Sequence, residues 1–285
     1  MNAPFDRLRT TLDLRPSALA GTWYEGTPQS LSARVDEYLA KVKLPKLKGQ
    51  VIGVIAPHAG HKYSGQVAAH AFTALRGLRP DLVVILSPFH NYSAHALITT
   101  SHQAYATPLG NIKVDQLALA ELIKNLDLPI APIQNDKEHA LEIQLPFLQR
   151  VFTNDFKLLP IMLSAQEASL AKKLGAALAR TLKKKNVVIV ASTDLSHFYD
   201  QQTAHIFDHE MLKRFESFHP ETIFEAEDTG KGFACGRAAV ASTLWASQQL
   251  GADKVQILKY ATSGDITKDY SSVVGYGAAA ILKTI

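Results

Sequence analysis

Only one cysteine, Cys235, occurs in the 285 residues, so no disulfide can close within the chain. A lone thiol suits a reducing compartment, and a cytoplasmic location is expected. Long apolar runs are missing too: the longest are of strand length, short of the roughly 20 residues a membrane-crossing helix needs. Residues 1–15 mix acidic and basic side chains without an apolar stretch, so a secretory leader is not expected. No internal repeat recurs, which excludes a solenoid or propeller. No low-complexity linker divides the chain; residues 44–49 read as a loop. Nor is there a basic stripe of the kind that grips nucleic acid. The net charge is +4, and the one basic run, Lys183-Lys184-Lys185, falls where a helix should end. Lysine there favours the negative end of the helix dipole.

What is present is a pattern that occurs three times. Val51-Ile52-Gly53-Val54-Ile55 leads to His58, Leu82-Val83-Val84-Ile85-Leu86 leads to His90, and Val187-Val188-Ile189-Val190 leads to Asp194 and His197. Apolar runs of this length, without polar alternation, read as strands buried on both faces of a parallel sheet. Open parallel sheets gather ligand chemistry beyond the carboxyl ends of their strands. Three imidazoles carried to one edge should therefore converge.

The remaining periodicity supplies helices around 30–42, 65–75, 116–125, 138–150, 167–184, 205–215 and 237–250, with Pro146 disturbing the fourth. Further strands are expected at 96–100, 156–163, 255–260 and 272–281. Pro160 marks 156–163 as an edge or bulged strand. Alternation of this kind predicts a single α/β domain over 1–285, with a mixed, largely parallel central sheet flanked by helices.

Neutral imidazole is both the commonest metal ligand and the usual general base near neutral pH, so His58, His90 and His197 are candidates for either role. Asp194 stands three residues before His197 and is expected to orient its ring. Cys235 precedes a helix, where the dipole and Arg237 would favour thiolate. The plain alternative is a small buried apolar residue. His139 and Glu142, at i and i+3, share a helix face and read either as substrate-orienting groups or as an ordinary helix start. His205 and His209 have metal-compatible i, i+4 spacing but lack the flanking Glu of the H-E-x-x-H arrangement.

Several stretches together resemble the Memo family, whose prokaryotic members are often labelled AmmeMemoRadiSam system protein B. They are Leu19-Ala20-Gly21-Thr22-Trp23-Tyr24, Ala56-Pro57-His58-Ala59-Gly60 with Tyr63-Ser64-Gly65, Ser87-Pro88-Phe89-His90, Glu138-His139-Ala140-Leu141-Glu142 with Leu145-Pro146, Ser192-Thr193-Asp194-Leu195-Ser196-His197, and Cys235-Gly236-Arg237. The resemblance spans nearly the whole chain. It implies a fold like that of class III extradiol dioxygenases, a metal on His58, His90 and Cys235, and His197 with Asp194 in the position of the catalytic base. His139 and Glu142 match a further polar motif. Where some relatives carry two adjacent histidines, His90 here is followed by Asn91.

A thiolate in place of the dioxygenases' carboxylate ligand favours iron, copper or zinc over hard cations. The function expected is that of a metal-dependent redox protein, with iron the first candidate metal, acting on a small molecule. A zinc hydrolase and a non-enzymatic peptide- or protein-binding module are the alternatives. The resemblance also implies a functional link to radical-SAM and AMMECR1-like proteins, while the composition leads to no expectation of a nucleic-acid or membrane partner.

Overall fold

All seven residues of Leu82–Pro88 are buried, and this strand lies in the middle of a nine-stranded sheet. The computed structural model describes residues 12–284, so most of the 1–15 stretch read for a leader lies outside the described residues. In chain order the elements begin with β1 (Leu14–Arg15), α1 (Pro28–Ala40), β2 (Gln50–Ala56), α2 (His61–Thr73) and β3 (Leu82–Pro88). Next come β4 (Leu97–Thr100), β5 (Ala104–Thr107), β6 (Gly110–Lys113), α3 (Gln116–Leu126) and β7 (Ala131–Ile133). They are followed by α4 (His139–Glu142), α5 (Leu145–Val151), β8 (Lys157–Leu163), α6 (Ala168–Leu182) and β9 (Val187–Ser192). The chain closes with β10 (His197–Tyr199), α7 (Gln201–Ser217), α8 (Glu221–Asp228), α9 (Arg237–Gln249), β11 (Lys254–Thr262), α10 (Gly264–Thr267) and β12 (Val273–Lys283).

The large sheet runs β10-β12-β2-β9-β3-β8-β4-β7, with β11 also paired to β12. Its core, β2-β9-β3-β8, is parallel, whereas β12 on one side and β4 on the other pair antiparallel. A small second sheet, β1-β5-β6, holds the N-terminal segment. This is a mixed α/β architecture with helices on both faces.

Side chains alternate across the sheet and feed two apolar clusters. Val83 and Ile85 join Leu31, Val35, Phe72 and Phe147 on the face covered by α1, α2 and α5. Leu82, Val84 and Leu86 join Leu122, Leu174, Leu178 and Leu244 on the face covered by α3, α6 and α9. Covering both faces explains why these strands lack polar alternation. Among the described residues no helix is long and apolar enough to cross a membrane.

One expectation needs correcting. The strand containing Pro160 is not an edge, because β8 lies between β3 and β4. Pro160 pairs with Ile85 of β3, while the β4 ladder stops at the Ile98–Met162 pair. On that side the Pro160 carbonyl accepts from Thr99 Oγ1 at 2.7 Å. Because the N and C=O of one strand residue point to the same side, the missing N–H falls where no ladder bond is needed. Helix α2 also starts four residues earlier than its periodicity suggested, at His61 behind Gly60, which offers no side-chain cap.

Candidate functional site

The three histidine-bearing strands are neighbours, in the order β2-β9-β3, so their carboxyl ends open onto one crevice. His58 follows β2, His90 follows β3, and Asp194 and His197 follow β9. Cys235 arrives from the loop before α9. Gly236 permits this approach: a Cβ there would collide with the Ser192 carbonyl and lie 2.9 Å from Thr193 Cβ.

The ligand atoms of His58, His90 and Cys235 lie within 4.8 Å of one another. Cys235 Sγ is 3.2 Å from His58 Nε2. His139, from α4, joins the same group, its ring stacked on that of His90 with centroids 4.5 Å apart. The Trp23 ring also packs against His139, tilted, with centroids 4.5 Å apart. A cavity of about 420 Å³ opens over them, walled by Trp23, Tyr63 and Val274 and lined by His58, His90, His139, Asp194 and His197. A second group of mutually close donors, His90, Glu138 and His139, adjoins the first.

Burial dominates the electrostatics. It holds the His58 ring far below the ordinary histidine value, reinforced by the neighbouring imidazoles of His90, His139 and His197. Burial likewise lowers His139 and His197. His197 donates from Nδ1 to the Leu195 carbonyl at 2.8 Å, so its neutral ring keeps the Nε2 lone pair. The next residue, Phe198, has a left-handed φ of 67° in a non-glycine position, and is mostly exposed. Asp208 fixes this turn, accepting from Ser196 N at 2.8 Å and from the Tyr260 hydroxyl at 2.7 Å. Gly275 leaves room for that carboxylate, with which any Cβ there would collide.

Three expectations change. Asp194 does not orient His197: it accepts from His58 N at 2.7 Å, and burial pushes its carboxyl up to about 7. Cys235 is not poised as a thiolate, since burial and then Asp194 push its thiol up. Arg237 turns away to Gln166, Glu227 and Asp228. Glu142 does not face the crevice with His139. It is fully buried and accepts from Arg15 (2.5 Å), Ser17 (2.6 Å), Tyr24 (2.7 Å) and the N–H groups of Ala18 and Leu19. That network anchors the segment that carries Trp23. His205 and His209 join no group of three metal-competent donors among the described residues.

Residues without an assigned role in the sequence reading complete the surroundings. Glu138 accepts from His90 N at 2.6 Å and contacts His90 Nδ1 at 2.9 Å. Ser192 Oγ lies 3.0 Å from His58 Nδ1, and Gln144 Nε2 donates to the same hydroxyl at 2.8 Å. Glu138 and Gln144 bracket the polar segment around His139, and Ser192 ends the third strand run; that adjacency was the available signal.

The profile of the Memo-like protein family matches residues 15–280. A MEMO1 family protein of Nitrosopumilus maritimus is 36% identical over 270 residues, covering 93% of this chain and 98% of the relative. One from Methanopyrus kandleri is 33% identical over 277 residues, with 93% and 97% covered. In structure, the chain is similar to an uncharacterized protein of Escherichia coli K12, with a TM-score of 0.51 and 12% identity over 80% of this chain and 99% of the other. That likeness concerns the fold alone. Profile and relatives agree over nearly the full length, and the chain belongs to the Memo family.

Proposed function

We propose that this chain is a metal-dependent redox protein that holds its metal on His58, His90 and Cys235 and uses His197 as general acid and base. The observation that carries the reading is the mutual reach of three donor atoms, all within 4.8 Å, beside a cavity that two of the donors line. Two imidazoles and one sulfur suit iron first, with copper or zinc as the other candidates. Because the Cys235 thiol is pushed up, metal uptake would release its proton. A redox metal would supply the one-electron chemistry that none of these side chains provides.

The chain's own residues do the rest. Trp23, Tyr63 and Val274 form a largely apolar wall that excludes water from a small-molecule substrate. His197, held through Nδ1, presents Nε2 to take or return a proton at that substrate. A functional link to radical-SAM and AMMECR1-like proteins belongs to the same proposal and rests on family resemblance. Zinc-dependent hydrolysis is the second reading, favoured by the neutral His197 ring, which would accept a proton from an attacking water.

Protein purified without oxygen tests the reading by metal analysis and spectroscopy. About one iron per chain is expected in the wild type, and none in a His58→Ala/Cys235→Ala double variant. Full occupancy in the double variant would overturn it. A colourless zinc protein indifferent to oxygen would replace the redox reading with the hydrolytic one.

A further inference from the structure

We propose that the segment 136–144 is a positioning device that fixes the ring tautomers of His58 and His90 and aims both Nε2 lone pairs toward Cys235. The claim deepens the metal reading above and rests on it for its purpose, though its geometry stands alone.

For His90 the assignment follows from the donors gathered on Glu138. Glu138 is fully buried and accepts from His90 N at 2.6 Å and Ala140 N at 2.9 Å. A backbone N–H thus already donates to each of its oxygens, His90 N to Oε2 and Ala140 N to Oε1, the environment of a carboxylate that acts as acceptor. An ionised carboxylate only accepts. The 2.9 Å contact with His90 Nδ1 therefore requires the proton on Nδ1, which leaves Nε2 as the lone pair.

For His58 it follows from a chain of donors and acceptors. Gln144 Nε2 donates to the Pro57 carbonyl at 3.0 Å, which fixes the amide's orientation. The same nitrogen then donates to Ser192 Oγ at 2.8 Å. Ser192 spends its only proton on the Ala140 carbonyl at 2.7 Å. Toward His58 Nδ1, 3.0 Å away, the hydroxyl is left able only to accept. Nδ1 carries the proton and Nε2 faces Cys235 Sγ at 3.2 Å. Glu138 reaches His90 while Ala140 and Gln144 hold the Ser192 hydroxyl beside His58, so this short segment serves both imidazoles at once. Such supporting hydrogen bonds orient ligating imidazoles and raise their basicity.

Glu138 and Ser192 are thus positioning residues, and two variants separate them. In Glu138→Gln the amide cannot accept from His90 N, Ala140 N and His90 Nδ1 together; its N–H₂ meets a donor, and His90 should switch to the Nε2–H form. In Ser192→Ala the buried Nδ1–H of His58 loses its acceptor, so that ring should move toward Nε2–H facing the sulfur. Long-range ¹H–¹⁵N spectra of the histidine rings in metal-free protein read each ring directly. The wild type should show Nδ1–H for both His58 and His90, with Glu138→Gln changing only His90 and Ser192→Ala only His58.

Each variant should also weaken Co(II) binding by roughly 10–100-fold, measured by competition with a chromophoric chelator. An Nε2–H tautomer at either ring of the wild type would overturn the proposal, with no need for a variant to fold. So would rings that ignore both substitutions. If the wild type takes up no Co(II), the metal reading falls, and the ring tautomers alone then decide the positioning claim.

Discussion

Cys235 Sγ and His58 Nε2 lie 3.2 Å apart although 177 residues separate them in the chain. The contact exists because β2 and β9 are paired in parallel and Gly236 lets the thiol reach their carboxyl ends. Cys235→Ser should keep the fold, since a hydroxyl can still accept from Asp194 N, whose present distance to Sγ is 3.2 Å. It should nevertheless weaken binding of a thiophilic metal by more than the roughly 10–100-fold that loss of a supporting hydrogen bond produces. Equilibrium dialysis against Zn(II) or Co(II) measures this; unchanged affinity would remove sulfur from the ligand set.

Buried histidines outside the site make stability depend on pH. His61 donates from Nε2 to the Ile143 carbonyl at 3.1 Å, and burial lowers its ring from 6.5 to about 4. The folded chain refuses a proton that the unfolded chain accepts below about pH 6.5. The stability this group contributes is complete above that value and is lost as the pH falls toward 4, amounting to roughly 3 kcal/mol. His61→Gln can preserve the donor, and urea denaturation from pH 7 to 4 should show a correspondingly shallower loss.

Glu142 and Arg15 form a buried pair, both about 1% exposed or less. Glu142→Gln would leave the guanidinium without one of its two carboxylates and disturb the five donors that converge there. Breaking such a pair costs about 3–5 kcal/mol. Urea denaturation should find a loss in that range, against a far smaller change for Glu37→Gln, whose pairs with Arg34 and Lys41 are exposed.

Trp23, with its ring centroid 4.5 Å from that of His139, reports on the cavity. The chain's other tryptophan, Trp245, packs against Phe224 in the core. Binding of Co(II) or Cu(II) should quench the Trp23 emission, and Trp23→Phe should abolish most of the change while leaving Trp245 emission intact. Equal quenching in the variant would place the ion elsewhere.

The parallel core was legible because buried runs such as Val187-Val188-Ile189-Val190 carry no polar residues to confuse their period. Short β10 was not, since a three-residue strand owes its existence to pairing with β12 rather than to its own side chains. In the site, His58 and His90 could be placed because each follows a strand end. The state of Cys235 could not, because it depends on burial in the fold and then on Asp194, 41 residues away. Spacing put His139 and Glu142 on related positions of one turn. It could not say that Arg15, 127 residues away from Glu142, would bury that carboxylate.

The central claim is that the metal sits on sulfur as well as imidazole. X-ray absorption at the metal edge of anaerobically prepared, metal-loaded protein reads the donor atoms directly. The account predicts one sulfur scatterer, at about 2.3 Å for zinc, with imidazole nitrogens completing the shell, and loss of that sulfur in Cys235→Ser. A shell of nitrogen and oxygen alone in the wild type would contradict it.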